Sequence, residues 1–163
     1  MKAIYVLIKK KENNMLNKVI DFLSSNNEVS FATVEAGKPR IRVFQIMKIK
    51  GTDLFFATSA KKAVYKQLKE NPFIEIMAFK DKVSVKCSGK AVFDVKEETK
   101  QWIYENNPVL SRLYEDYKGL DYFRMQVDFI DYYDLSPTPP LFKHIDLVTN
   151  EIKDGFVGDR FSK

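Results

Sequence analysis

The sequence predicts an α+β domain built on an antiparallel sheet of six strands that curls into a small barrel, with helices on its flanks. Three observations predict it. Short turns (Gly37-Lys38-Pro39, Gly51-Thr52-Asp53 and Asp81-Lys82) join runs of strand composition, and strands connected so tightly pair antiparallel. Between these hairpins the apolar period switches to helical spacing. The strands do not alternate strictly with helices, which favours α+β over α/β, and several are long enough to close on themselves.

The elements follow in order. Met15, Leu16, Val19, Ile20, Phe22 and Leu23 recur at helical spacing, which makes 14–25 a helix capped by Asn13 or Asn14. Val29, Phe31 and Thr33 alternate with Ser30 and Ala32 as a strand. Residues 40–49 form the next strand and 54–58 its antiparallel neighbour. Val64, Tyr65 and Leu68 share one side of a helix over 61–70, which Asn71-Pro72 stops. Strand composition returns over 73–79. Val83, Val85, Cys87, Gly89, Ala91 and Phe93 then alternate with Ser84, Lys86, Ser88 and Lys90, a long half-buried strand in which Gly89 marks a bulge or a close approach. Residues 97–107 and 108–117 read as helices. The last strand is 123–133, with Met125, Val127 and Phe129 on one face. Beyond Ser136, Pro137, Pro139 and Pro140 end regular structure. The chain is read as one domain over 1–163, with 1–13 as an N-terminal extension and 136–163 as a C-terminal tail.

Composition narrows the function. The 163 residues are 45% hydrophobic and 30% charged, which rules out wholesale disorder. One cysteine and one histidine exclude an intramolecular disulfide framework and, within one chain, a structural zinc site. Cys87 sits on an apolar strand face and reads as an inert thiol. His144 has no nucleophile motif near it and reads as a surface residue of the tail. The apolar start Ala3–Ile8 is too short to span a bilayer and has no cleavage pattern, so the expected location is cytoplasmic, away from membranes. A net charge of +5 invites anionic partners. Lys9-Lys10-Lys11, the one basic block, reads as solvated.

The stretch from Gly37 to Leu68 carries the chemistry. Arg40 and Arg42 lie on one strand face, Thr58-Ser59 ends the next strand, and Lys61-Lys62 opens the following helix. If the strands pair, Arg42, Thr58, Ser59, Lys61 and Lys62 converge on one spot. Two hydroxyls, several cations and the free amides of a helix start suit a phosphate dianion. The plainer reading is a set of solvated surface residues. Against it, two lysines at a helix N-terminus oppose the macrodipole, by about 0.3–1 kcal/mol each relative to an anion there.

Four motifs, in this order and spacing, resemble the pyridoxamine 5′-phosphate oxidase-like family of FMN-binding split β-barrels. They are Gly-Lys-Pro-Arg-Ile-Arg-Val-Phe-Gln (37–45), Leu-Phe-Phe-Ala-Thr-Ser-Ala-Lys-Lys (54–62), Val-Tyr-Lys-Gln-Leu-Lys-Glu-Asn-Pro (64–72) and Val-Ser-Val-Lys-Cys-Ser-Gly-Lys-Ala-Val-Phe (83–93). The likeness covers roughly Phe22 to Phe93. It implies a six-stranded split barrel and a homodimer with FMN at the subunit interface. Arg42 matches the phosphate-binding arginine, Thr58 and Ser59 the hydroxyl ligands, and Lys61 and Lys62 the basic pair. The backbone of Val43, Phe44 and Gln45 matches the strand edge along the isoalloxazine. Ser84, or Lys86, falls where the family places a residue of the neighbouring long strand.

Two departures qualify the resemblance. Pyridoxamine phosphate oxidases keep a lysine at the place of Met47 and carry a C-terminal Arg-x-His element, which Arg124 and His144 do not form. The resemblance therefore implies a flavoprotein without the vitamin-substrate site. The first expectation is an oxidoreductase that uses a nicotinamide donor on a small acceptor. The others are a non-catalytic flavin-binding or sensing protein and a nucleic-acid or polyanion binder. Trp102, Tyr104, Tyr132 and Tyr133 are expected to pack in the core or an interface rather than stack on a flavin.

Overall fold

The computed structural model describes residues 2–155, with 2–13 as backbone only. Its elements are α1 (Lys2–Ser25), β1 (Glu28–Glu35), β2 (Lys38–Gln45), β3 (Lys48–Lys50), β4 (Asp53–Thr58), α2 (Ala63–Glu70), β5 (Phe73–Lys80), β6 (Val83–Val92), α3 (Glu97–Asn106), α4 (Pro108–Leu113), a 3₁₀ turn (Tyr117–Gly119), β7 (Asp121–Asp134), β8 (Leu141–Asp146) and β9 (Glu151–Asp154). Every strand pair is antiparallel. The order is β2-β1-β5-β6-β7-β4-β3, with β8 on β7 and β9 on β8. Among the described residues no helix is long and apolar enough to cross a membrane.

β7 organises this sheet. Its first half pairs with β4 (Thr58↔Asp121 to Leu54↔Met125), its second half with β8 (Phe129↔Asp146 to Asp134↔Leu141), and β6 runs along its other edge. The fork falls at a bulge. Ser88 faces Phe129 and Gly89 faces Val127, so Asp128 is the extra residue. A bulge bends its strand and increases the local twist, so the two halves of β7 diverge. Gly89 is required there, because a Cβ on it would stand 2.1 Å from the carbonyl oxygen of Gln126.

The sheet turns its corner between β2 and β3. Ile46 N–H donates to Asn27 O at 2.8 Å, and Met47 N–H donates to Phe55 O at 2.8 Å. One residue thus belongs to the β1 side and the next to the β4 side. The enclosed space is filled by aromatic rings. Phe31 meets Phe44 at 4.7 Å and Phe56 at 5.3 Å, and Phe56 stacks on Phe123 at 5.3 Å. Aromatic side chains bury large apolar areas, which explains a core so rich in Phe. β4 is buried on both faces. Leu54 and Phe56 point into this core, while Phe55 and Ala57 pack with Ile103 of α3 and Leu110 of α4.

Several expectations change. The helix over 14–25 extends back to Lys2, so neither Asn13 nor Asn14 starts it. The strand over 40–49 is two strands, since the corner at Ile46 separates β2 from β3. The sheet has nine strands rather than six. The tail is not irregular beyond Ser136, because β8 and β9 form a hairpin that continues the sheet. Phe129 leaves the face of Met125 and Val127, since the bulge at Asp128 reverses the alternation and Ile130 and Tyr132 become the buried pair. His144 is not in a loop but on β8, opposite Asp131. Lys9-Lys10-Lys11 and residues 156–163 lie outside what the structure describes. Cys87 is fully buried, and burial pushes its thiol up to about 12.

Gly89→Ala is expected to destabilise the domain by about 2–3 kcal/mol, read as a lower urea midpoint in equilibrium unfolding. An unchanged midpoint would mean that the β6–β7 approach is looser than described.

Candidate functional site

Arg42 lies on the inner side of β2, opposite Phe31. Its guanidinium reaches over β1 to the helix that follows β4. Nη1 donates to Thr33 Oγ1 at 2.6 Å and Nη2 to Gln67 Oε1 at 2.8 Å. Gln67 is the fifth residue of α2, so these two bonds tie β2 to α2. Thr33 Oγ1 donates in turn to Gln67 Oε1 at 2.7 Å, and Gln67 Nε2 donates to Glu35 Oε1 at 3.1 Å. Glu35 is also paired with Arg40 at 2.8 Å. The hydrogen bonds from Arg40 and Gln67 hold the Glu35 carboxyl below its ordinary range. Burial lowers the affinity of the Arg42 guanidinium for its proton, yet an arginine stays charged in proteins.

The partners of Arg42 in this network are neutral. The ion pair on this edge belongs to Arg40, and neither Arg42, Lys61 nor Lys62 forms one among the described residues. α2 starts at Ala63 after Lys62, with no side chain capping its first amides and no acidic residue in its first turn. The uncapped helix start adds its positive end beside Lys61 and Lys62, while Glu35, the carboxylate whose charge acts on Arg42, is bonded to Arg40.

The turn between β4 and α2 is held from within. Ser59 O accepts from Lys62 N–H at 2.9 Å, Ser59 Oγ accepts from Lys61 N–H at 3.3 Å, and Asp121 Oδ2 accepts from Ala60 N–H at 2.6 Å. Among the described residues Thr58 Oγ1 is buried without a partner, as is Tyr122 Oη. A cleft of about 360 Å³ adjoins the turn, lined by Glu35, Lys61, Ala63, Lys66, Gln67 and Glu70.

The other expected residues are spread across the sheet. Val43 is 72% exposed on the outer face of β2, Phe44 packs into the core, and Gln45 ends the strand half-buried. Ser84 lies on β6, opposite Phe79 and Tyr133. β1 and β5 separate β2 from β6, and three steps of about 4.8 Å between strands keep Ser84 away from Val43 within one chain. Lys86, the alternative to Ser84, is paired with Asp131 and Glu75. Met47 packs with the α3–α4 cluster. Arg124 is held by Asp94 and Asp53 at 2.8 and 3.0 Å, far along β7 from His144. Tyr132 is buried, Tyr104 Oη donates to Tyr114 O, and Lys48 Nζ stands 3.3 Å over the Trp102 ring. Sequence reasoning missed Gln67 as the partner of Arg42. The available signal was its place on the buried stripe of α2 beside Val64 and Leu68, where a polar side chain needs an internal partner.

Residues 15–131 match the family model described as pyridoxamine 5′-phosphate oxidase. The chain belongs to this FMN-binding family, and its fold is that family's split barrel. No curated protein matches the sequence. Solved structures that share the fold include an FMN-binding, pyridoxamine 5′-phosphate oxidase-related protein from Nostoc punctiforme. It is 12% identical, with a TM-score of 0.67 over 85% of this chain and 94% of that one. A Clostridium acetobutylicum protein related to general stress protein 26 is 16% identical, with a TM-score of 0.68 over 85% and 98%. PhzG from Burkholderia lata, in complex with tetrahydrophenazine-1-carboxylic acid, is 12% identical, with a TM-score of 0.68 over 87% and 89%.

Gln67→Leu removes the acceptor shared by Arg42 and Thr33 and the donor to Glu35. It is expected to cost about 1–3 kcal/mol of stability, measured by urea unfolding; a neutral effect would show that the network is not held by Gln67.

Proposed function

We propose that this protein is an FMN-binding oxidoreductase that passes reducing equivalents from a nicotinamide donor to a small acceptor, and that it works as a homodimer. The observation that carries the reading is the pair Lys61 and Lys62 at the uncapped start of α2, with Arg42 tied to Gln67 of the same helix and none of the three in an ion pair among the described residues. Those groups fit a phosphate ester. The guanidinium offers directed donors, the lysines offer point charge, and the first amides of α2 have no side-chain cap. The buried, unpartnered Thr58 hydroxyl and the Ser59 hydroxyl adjoin the same turn.

FMN supplies the redox chemistry, so no acid–base triad is required of the protein. Arg42, Lys61 and Lys62 bind the phosphate, Gln67 and Thr33 fix the direction of Arg42, and the backbone of Val43, Phe44 and Gln45 lies along the ring. Ser84 completes the site from a second chain. It shares the outer sheet face with Val43, and a copy laid on that face brings its own Ser84 within reach. The face is apolar enough for such a partner. Ile41 is 73% exposed and Phe79 67%, with Phe73 and Met77 beside them. An apolar patch of this kind marks an interaction surface.

Met47, enclosed by α3 and α4, and Arg124, fixed by two aspartates, speak against the vitamin-phosphate substrate of the pyridoxamine phosphate oxidases. The FMN-binding relative from Nostoc punctiforme and PhzG with its bound carboxylic acid support a flavin site that takes a small molecule. The reading places the protein in the cytoplasm, where nicotinamide donors are available.

The purified protein is expected to be yellow, with two visible absorbance bands, and to run as a dimer in sedimentation velocity. Arg42→Ala is expected to weaken FMN binding roughly 10- to 150-fold, the worth of one charge-assisted hydrogen bond set at about 1.5–3 kcal/mol. Anaerobic NADH or NADPH should bleach the bound flavin. A colourless protein that takes up no added FMN ends the reading, and a yellow protein that neither cofactor bleaches leaves only the carrier or sensor form.

A further inference from the structure

A carboxylate from β7 reaches the turn between β4 and α2. Asp121, half-buried, is the first residue of β7 and pairs in register with Thr58, the last residue of β4. Its Oδ2 accepts from Ala60 N–H at 2.6 Å, across 61 positions of sequence. Ala60 stands between Ser59 and the Lys61–Lys62 pair, so this bond holds the middle of the turn. The next two amides are bonded within the turn, Lys61 N–H to Ser59 Oγ at 3.3 Å and Lys62 N–H to Ser59 O at 2.9 Å. Of these three bonds only that of Asp121 reaches out to the sheet, where β7 lies between β4 and β6.

The amides of Ala60, Lys61 and Lys62 are thus engaged before any ligand arrives. An anion at this turn is received by side chains and by the first amides of α2, which have no side-chain cap. The placement of those side chains depends on the turn. Ser59 Oγ accepts from Lys61 N–H, which leaves its own hydrogen to donate. Lys61 and Lys62 follow directly on the residue that Asp121 pins. A loose turn would have to be ordered at the moment of binding, and that ordering weakens a complex. Charge by itself does not account for Asp121, since a carboxylate beside an anion site repels the anion and offsets the cations. Its contribution is the bond to Ala60 N–H, and an ionised acceptor makes that bond shorter and stronger than a neutral one.

We propose that Asp121 is a positioning residue for the phosphate: it acts through Ala60 N–H and fixes the turn, so that Ser59, Lys61 and Lys62 meet the phosphate already in place. The inference rests on the phosphate placement of the flavin reading and adds to it a residue that acts only through the turn. Asparagine at this position would keep an acceptor for Ala60 N–H. It would lose the charge-assisted strength of the bond and also the repulsion of the anion, two changes of opposite sign.

FMN and riboflavin serve as the probes, since they share the ring and the ribityl chain and differ in the phosphate. Each is titrated by calorimetry into the full-length protein from which bound flavin has been removed. The wild type is expected to prefer FMN. Asp121→Ala should lower that preference about tenfold, the worth of one charge-assisted hydrogen bond, by weakening FMN and leaving riboflavin unchanged. Asp121→Asn should hold the preference within about threefold of the wild type. In the unliganded wild type the Ala60 amide should exchange its hydrogen slowly, a measurement that depends on neither variant nor flavin. A wild type that holds both flavins equally, or neither, removes the phosphate placement and this inference with it. Where the wild type prefers FMN, three results overturn this inference alone: Asp121→Ala keeps the preference or loses both flavins alike, Asp121→Asn is as weak as Asp121→Ala, or the Ala60 amide exchanges freely.

Discussion

The close approach of β6 to β7 at Gly89 is the constraint on which the rest of the molecule depends. One extra residue, Asp128, opposite a glycine with no room for a side chain, turns a long strand pair into a fork. Before the bulge β7 serves β4 and β3, and with them the corner at Ile46 that closes the aromatic core. After it β7 serves β8 and β9, and the alternation of faces is reversed. Phe129 and Asp131 then look outward while Ile130 and Tyr132 look in. The candidate site follows from this geometry, since the start of α2 hangs on the end of β4, and so does the Asp131–His144 pair, which sits between the second half of β7 and β8.

The two places use charge differently. At the start of α2 the guanidinium of Arg42 is held by amide and hydroxyl oxygens, which direct it without neutralising it. A carboxylate in place of Gln67 would still accept from Arg42 and Thr33, but it would cancel the charge and lose the donor to Glu35. Glu35 stands one bond further away and is occupied by Arg40. On the second half of β7 the carboxylate of Asp131 does touch a ring, the imidazole of His144. Lys86 balances Asp131, so the imidazole is not the sole compensation for a buried charge, which would cost several kcal/mol if unpaired.

Much of this was legible in the residues, and the gaps have identifiable causes. The alternation of Val83 to Phe93, the hairpin turns and the amphipathic stripe of α2 rest on local pattern, and the structure reproduces them. The corner at Ile46 was hidden because no glycine or proline marks it, and the residues on either side keep the same strand composition. The bulge was half visible. Gly89 signalled a close approach, but nothing local told that the added residue would be Asp128 on the facing strand, so Phe129 was placed on the wrong side. β8 and β9 were masked by the proline cluster and by their shortness. Their order comes from pairing with the end of β7, a long-range contact that a window of sequence does not contain.

The site residues divide along the same line. Arg42, Ser59, Lys61 and Lys62 stood out because charge and hydroxyls at a strand end and a helix start have a local rationale. Gln67, Thr33 and Asp131 did not, because each acts through a residue far away in sequence and near in space. Gln67 is separated from Arg42 by 25 positions and Asp131 from His144 by 13. All three share one trait that is readable without coordinates: a polar side chain on a face whose neighbours are apolar. Burying such a group without a partner costs about 1–3 kcal/mol, so its position in an apolar row is itself evidence of a partner. In this chain those partners are Arg42, bonded to Thr33 and Gln67, and His144, bonded to Asp131.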